Sequence, residues 1–310
     1  MSRVTAISKF VVTATAAVSL IALTGCASDD GDTPALSDSS SSTSAVNQEA
    51  RALLPDEISD RGTLVVASSL SYPPFEYTTT DGVNEGFDID LVAALSDALG
   101  LEVDLQKIPF EGQITGLTNS RFDLAMATFT ITPERLEQVN FVQFLSAGTV
   151  VSVLKGSDVG IDGVSSLCGH TVGVQTGSAA EVQVQTLNDE CVEGGESEIV
   201  VSTFPDQSSL VQAVLNGRVE ARLDDSTTTA YINEQVDGQL EDIGEAYATS
   251  PTGFAIAKDN DGLLAATRVA LQGLIDDGTY SQLAEEWGQS KNTVTEATVF
   301  TDPADVIAGS

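Results

Sequence analysis

Arg135 lies in the segment Thr128–Phe141, TFTITPERLEQVNF, of a chain with only 13 Lys and Arg against 46 Asp and Glu. Thr132 followed by Pro133 reads as a helix start, with threonine as N-cap and proline at the first helical position, where a missing N–H costs nothing. Arg135 then falls at the third helical position, where the macrodipole is already positive and a further cation is disfavoured. A cation placed against its local field needs a partner. Two are open, a salt bridge to one of the many carboxylates or a bound anion.

Two further stretches carry chemistry. In Thr176-Gly177-Ser178-Ala179-Ala180-Glu181 the residues Ser178 and Glu181 have the S-x-x-E spacing of a capping box, and a helix start beside a glycine offers free N–H groups to an anion. At Asp224-Asp225, paired carboxylates precede a Ser-Thr-Thr-Thr run. Asp225 either caps the following helix or takes a cation. A ligand that satisfies both an anion site and a carboxylate is a zwitterion such as an amino acid.

These residues need elements to position them. TLVVAS at 63–68 reads as a buried parallel strand, and FDIDLVAALSDALG at 87–100 as an amphipathic helix with Ile89, Val92, Leu95 and Leu99 on one face and Gly100 ending it. LEVDLQKI, EGQITGLTNSR and FDLAMATF repeat strand, helix, strand, the pattern of an α/β layer. A second set follows Phe144: TVVSVL, TVGVQ, IVVSTF and VEARL as strands, SSLVQAVLNGR as a helix, then PTGFAIAK and two closing helices. Two α/β units predict two lobes, with ligands at the carboxyl ends of the strands.

Composition narrows the partners. The formal net charge of −33 repels phosphate backbones and excludes nucleic acid as a partner. Arg3, Lys9 and the apolar stretch Phe10–Leu23 form a leader too short to span a bilayer comfortably. Leu23-Thr24-Gly25-Cys26 resembles a bacterial lipobox, which implies cleavage after Gly25 and a lipid on Cys26, palmitate-type chains included. Residues 1–25 are thus expected to be a signal peptide and 26–58 a disordered Ser/Asp-rich tether. Of the three cysteines, Cys168 and Cys191 remain. They form either a disulfide, as an oxidising compartment favours, or two buried thiols, which the polar run around Cys191 disfavours.

Six stretches, LVVASSLSYPPFEY, GFDIDLVAAL, FDLAMATFTITPER, LCGHTVGVQTGSAAE, NGRVEARLDDS and DDGTYSQLAEEWG, occur in family order over nearly all of 60–290. Together they resemble the family 3 extracellular solute-binding proteins, which deliver polar amino acids to ABC importers. The resemblance implies an α/β, periplasmic-binding-protein-like (type II) fold. Lobe 1 would take 59–147 and 252–293, lobe 2 would take 148–251, and 294–310 would form a tail. The hinge would comprise two segments near Ser146–Val150 and Thr249–Gly253.

Carried over residue by residue, the resemblance gives Arg135 the ligand α-carboxylate, helped by the N–H of Thr130 and those around Ser178 and Ala179. Asp225 and the Thr128 carbonyl would take the α-ammonium, and Tyr72 and Phe110 would flank the ligand side chain. Ser69 stands where binders of cationic amino acids carry an acid, and Gln175 where a side-chain contact is expected. Asp224, beside Asp225, either accepts a cation or faces solvent, and in both cases two acids near the pocket without a matching cation disfavour an acidic ligand. The implied order is a polar uncharged amino acid first, a basic one second and an acidic one last.

The expected partners are the free amino acid and the permease and ATPase subunits of an importer. The protein itself would be a monomer without metal, cofactor or catalytic residues, anchored by lipid to the outer face of the cytoplasmic membrane. The alternatives are an enzyme on the same fold, such as a cyclic-acid dehydratase, and a sensory ligand-binding module.

Overall fold

Two short helices, α1 (Gln48–Ala52) and α2 (Asp56–Arg61), open the chain in a computed structural model that describes residues 46–307. The leader and Cys26 lie outside the described residues. Strand β1 (Thr63–Ser68) leads to a small antiparallel sheet of β2 (Ser71–Tyr72), β3 (Glu76–Thr78) and β4 (Asn84–Glu85). Then follow α3 (Phe87–Leu99), β5 (Glu102–Lys107), α4 (Gln113–Thr118), β6 (Leu124–Thr130), α5 (Pro133–Leu136) and the long β7 (Val139–Leu154). The next run is β8 (Thr171–Gln175), α6 (Ala179–Glu193), β9 (Val200–Phe204), α7 (Gln207–Leu215), β10 (Ala221–Asp225) and α8 (Ser226–Gln235). A second long strand, β11 (Leu240–Ala257), precedes α9 (Asp261–Asp276), α10 (Thr279–Glu286), β12 (Val299–Phe300) and α11 (Ala304–Ile307).

The main sheet runs β5-β1-β6-β11-β7-β10-β8-β9, with β12 on β7. Two parallel triplets, β5-β1-β6 and β10-β8-β9, flank the antiparallel pair of β7 and β11. At 16 and 18 residues these two strands are long enough to run through both lobes, roughly 50–60 Å at strand rise. Each triplet is covered on both faces, as parallel sheets require. Alternation along β1 sends Leu64 and Val66 to a cluster with Leu91, Leu95, Phe144 and Phe254, and sends Ala67 to one with Phe122, Phe129 and Phe141. The other triplet has its own pair of clusters, Val151, Val172, Val174 and Leu223 on one face and Phe204, Leu210, Val214 and Val219 on the other. Separate two-faced cores make two lobes.

The ladder between β7 and β11 breaks register between Ile243 and Tyr247, between Tyr247 and Ser250, and between Thr252 and Gly253. Backbone pairing is therefore thinnest around the two expected crossing segments.

Several boundaries differ from the sequence expectation. Folded structure begins before residue 58: Asn47 caps α1 through Oδ1 to the Ala50 N–H, Ala50 is fully buried, and Arg51 Nη1 donates to the carbonyls of Leu99 and Gly100. The polar composition of 26–58 hides this single docked turn. On α3 the buried face is Phe87, Leu91, Val92, Leu95 and Leu99, while Ile89 is only half-buried. The acidic first half of β11 carries no apolar signal because most of its residues face solvent. Residues past 293 are held too, since Val299 and Phe300 pair with Val142 and Phe141, and Ala297 is buried. Cys168 and Cys191 form the disulfide, with Cα atoms 5.7 Å apart. Cys191 is nonetheless buried, on the inner side of a helix whose outer side is polar.

Candidate functional site

Arg135 sits where the Thr132 cap and Pro133 place it, with its N–H on Thr132 Oγ1. Its side chain is buried and forms no ion pair among the described residues. Nη1 donates to the Thr130 carbonyl at 2.6 Å and Nη2 to the Gly177 carbonyl at 2.9 Å, across from the other lobe. The guanidinium lies 5.6 Å from the Phe110 ring centre and 5.2 Å from that of Phe129, two rings that themselves stack. Carbonyls and ring faces fix its plane without cancelling its charge. Burial lowers its pKa to about 10, partly offset by Asp225. A fixed, desolvated cation with unused donors has the chemistry to receive a carboxylate.

Ser178 caps α6 by accepting from the Glu181 N–H, but the Glu181 carboxylate returns to the Gly177 N–H and not to Ser178. The capping box is displaced by one residue, and the Gly177 N–H is consumed. Gly177 adopts φ +75°, and a Cβ there would press 3.3 Å from Glu111 Cβ, so glycine is needed where the two lobes meet.

Asp225 occupies the N-cap position of α8 without capping it. The carboxylate turns instead to the other lobe, where the Tyr72 hydroxyl donates to Oδ2 at 2.8 Å. Burial, and then Asp224, push the Asp225 pKa up to about 7, partly offset by Tyr72 and Arg135. Thr128 adopts φ +47°, an uncommon conformation for a branched residue. Its N–H and hydroxyl both donate to Asp88 Oδ2, at 3.1 and 3.0 Å. Asp88 is fully buried, and burial pushes its pKa up to about 7.

These residues bound one cavity. Ser69, Tyr72, Phe110, Ala127, Thr128, Thr130 and Arg135 line it from one lobe, and Gln175, Ser178, Ala179, Ala180, Asp224 and Asp225 from the other. All eleven binding and specificity positions expected from the sequence thus converge. The sole histidine, His170, sits just before β8, at the opposite end from Gln175, with Nδ1 3.5 Å from Glu220.

Three side chains behind the wall went unread in the sequence. Arg222 is 1% exposed and pairs with Asp224 Oδ2 at 3.0 Å, so the cation that Asp224 was expected to lack is present. The two residues are two apart on one strand and share a face, a signal the sequence does carry. Gln207, at the first turn of α7, joins Gln175, Asp224 and Arg222. Glu76 is fully buried behind Ser69, accepting from Ser69 Oγ at 2.9 Å and from Ser68 Oγ. Burial, and then Asp88, hold its carboxyl well above the usual range. No local pattern in the sequence announces it.

Residues 64–290 match the family described as bacterial extracellular solute-binding proteins, family 3. The "Arginine-binding protein ArgT" of Corynebacterium glutamicum is 30% identical over 256 residues, covering 82% of this chain and 84% of that protein. Among solved structures, "An ancestral arginine-binding protein bound to glutamine" is 34% identical with a TM-score of 0.67, covering 74% of this chain and 99% of that one. "The ancestral amino acid-binding protein AncCDT-1, a precursor of cyclohexadienyl dehydratase" is 32% identical with a TM-score of 0.68, covering 75% and 98%. The periplasmic-binding-protein-like (type II) fold expected from the sequence is the fold of these neighbours.

Proposed function

The chain belongs to the bacterial extracellular solute-binding proteins of family 3, and from that premise we propose that it binds a free amino acid between its lobes and delivers it to an ABC importer. The observation that carries this reading is the pairing of a desolvated, unneutralised Arg135 with Asp225 across one cavity. Arg135, assisted by the Thr130 N–H and by N–H groups around Ser178 and Ala179, takes the α-carboxylate; the Ser178 N–H itself donates to the Gln175 carbonyl at 3.2 Å, which leaves this part to Ala179. Asp225 and the Thr128 carbonyl take the α-ammonium, while Tyr72 and Phe110 enclose the side chain. Lobe 1, which runs to 147 and resumes at 252 with α1 and β12 included, and lobe 2 (148–251) close by bending at the two crossing segments.

The preferred ligand is a polar uncharged amino acid. Ser69 supplies a hydroxyl where a cationic ligand needs an acid, and the glutamine complex of an arginine-binding ancestor supports a site of this kind accepting an uncharged side chain. A basic ligand is the second reading, favoured by the arginine-binding relatives. Delivery rests on a monomer held to the outer face of the cytoplasmic membrane through lipid on Cys26. Two acyl chains anchor stably where one does not. Equal membrane retention of Cys26→Ser would remove the anchor.

The dehydratase precursor among the neighbours favours catalysis as an alternative. The present site is built to hold both charges of a zwitterion, and the ligand should be recovered chemically unchanged after prolonged incubation. A thermal-shift panel of the common amino acids tests the binding reading. A ligand at 100 times its Kd adds about 2.7 kcal/mol, or a rise of roughly 5 to 10 °C. A flat panel contradicts it.

A further inference from the structure

Gln175 projects from the end of β8 into the cavity, and which end of its amide faces the ligand is decided two residues away. A guanidinium has donors only. Arg222 Nη1 donates to Asp224 Oδ2 at 3.0 Å and to Gln207 Oε1 at 3.3 Å, so the Gln207 carbonyl is committed to Arg222. Gln207 Nε2 must then be the donor toward its other neighbours, and it reaches Asp224 Oδ1 at 3.1 Å and Gln175 Oε1 at 3.2 Å. The Gln175 carbonyl is taken in turn, and its NH2 group, without a hydrogen bond among the described residues, is left for the cavity. Turning Gln175 over would set two NH2 groups against each other in a buried site, which removes a hydrogen bond and leaves donors unpaired.

Asp224 is closed off by the same set of contacts. Oδ1 accepts from Gln207 Nε2 and the Asp225 N–H, and Oδ2 accepts from Arg222, while the single Thr228 hydroxyl proton has the Asp225 carbonyl nearer, at 3.0 Å against 3.4 Å. The charge of Asp224 is matched by Arg222 and both its oxygens are hydrogen-bonded, although it lines the cavity. The floor of the site therefore offers a neutral donor, not a free acid.

We propose that Arg222, Gln207 and Gln175 form a hydrogen-bond relay that fixes an amide N–H donor in the pocket and selects amino acids whose side chain ends in a neutral acceptor, such as a carboxamide. The inference rests on the amino-acid-binding reading above and narrows it. A guanidinium or ammonium side chain would face the Gln175 donors with donors of its own. A side-chain carboxylate would find one donor but no unpaired cation, because Arg222 is already matched. Arg222 and Gln207 do not line the cavity and act as positioning residues; Gln175 is the contact.

Calorimetric titration of the full chain with L-glutamine, L-arginine and L-glutamate tests the relay in wild type and in Gln207→Leu, with thermal melts confirming the fold. Wild type should bind glutamine at least about tenfold more tightly than arginine or glutamate, since one mispaired polar contact is worth about that or more. Gln207→Leu frees the Gln175 amide to rotate and should bring the glutamine-to-arginine ratio toward one. A wild type that prefers arginine, or a folded Gln207→Leu with an unchanged ratio, overturns the relay while leaving the amino-acid reading intact. If Gln207→Leu does not fold, Gln175→Glu carries the test, because replacing the donor by an acceptor must reverse the order. An order unchanged in that variant overturns the relay. Failure of wild type to bind any amino acid overturns the reading beneath it, and the relay with it.

Discussion

Arg222 and Asp224, two positions apart on β10, turn to the same face of the strand and meet at 3.0 Å with both side chains nearly excluded from solvent. Of the two adjacent acids at the end of that strand, this pairing neutralises one and leaves Asp225 to carry the charge of the site.

Breaking the pair on one side should therefore harm the fold more than removing it whole. Arg222→Met strands Asp224 as an unmatched buried carboxylate, at a cost of roughly 3 to 5 kcal/mol. Arg222→Met combined with Asp224→Leu should recover much of that loss, as read by denaturant midpoints. A double variant no more stable than the single one would show that Arg222 acts through something other than Asp224.

Binding should depend on pH through Asp225. Its pKa of about 7 arises from burial and then from Asp224, with Tyr72 and Arg135 opposing, and a bound ammonium must lower it further. Ligand thus prefers the ionised form, so affinity falls as pH drops below about 7, approaching tenfold per unit, and binding there releases a proton. Above that value the dependence on Asp225 disappears. Titrations in buffers of different ionisation enthalpy at pH 6 and 8 measure the released proton directly, and equal affinities at both values would remove Asp225 from the ammonium site.

How much of this was legible in the sequence depends on whether a residue acts through its neighbours along the chain. Thr132 and Pro133 set Arg135 by local rules, and Ser178 caps as its spacing requires, although Glu181 reaches back one residue too far. Asp225 was ambiguous between cap and ligand, because both roles want a carboxylate at a strand's end. The Tyr72 hydroxyl arriving from the other lobe holds the Asp225 carboxylate away from the cap, and that contact is not written in the local sequence. Arg222 beside Asp224 could have been paired from the alternation of a strand. Gln207 and Glu76 could not, since their partners lie on other elements.

Asp88 should give stability a measurable slope with pH. Its folded pKa of about 7 stands above the ordinary aspartate value because the carboxyl is buried, despite two hydrogen bonds from Thr128. A group that holds its proton more tightly when folded stabilises below its unfolded pKa of about 3.9 and loses that contribution as pH rises toward 7. Wild-type stability should thus decline across this window, and Asp88→Asn should flatten the decline. A residual slope is expected from Glu76, which is shifted in the same direction. Denaturation at pH 5 and 8 gives the comparison, and identical slopes in variant and wild type would refute a titrating Asp88.

Reduction of Cys168–Cys191 should lower the melting temperature without altering ligand preference. The bridge closes a loop between positions 23 apart, worth roughly 3 kcal/mol in chain entropy. It grips α6 about 18 Å along the helix axis from Ala179, at the end that lines the cavity. A changed order of amino-acid affinities after reduction would mean that the bridge also shapes the site.

The most direct test of the clamp is calorimetry of the wild-type protein with L-glutamine, its α-carboxamide and its α-deaminated analogue. Each analogue removes one charge and leaves Arg135 or Asp225 buried without its partner, a loss of about 2 to 5 kcal/mol. Both analogues should bind at least about thirtyfold more weakly than L-glutamine. An analogue that binds as tightly as L-glutamine itself would contradict a site that holds both charges of an amino acid.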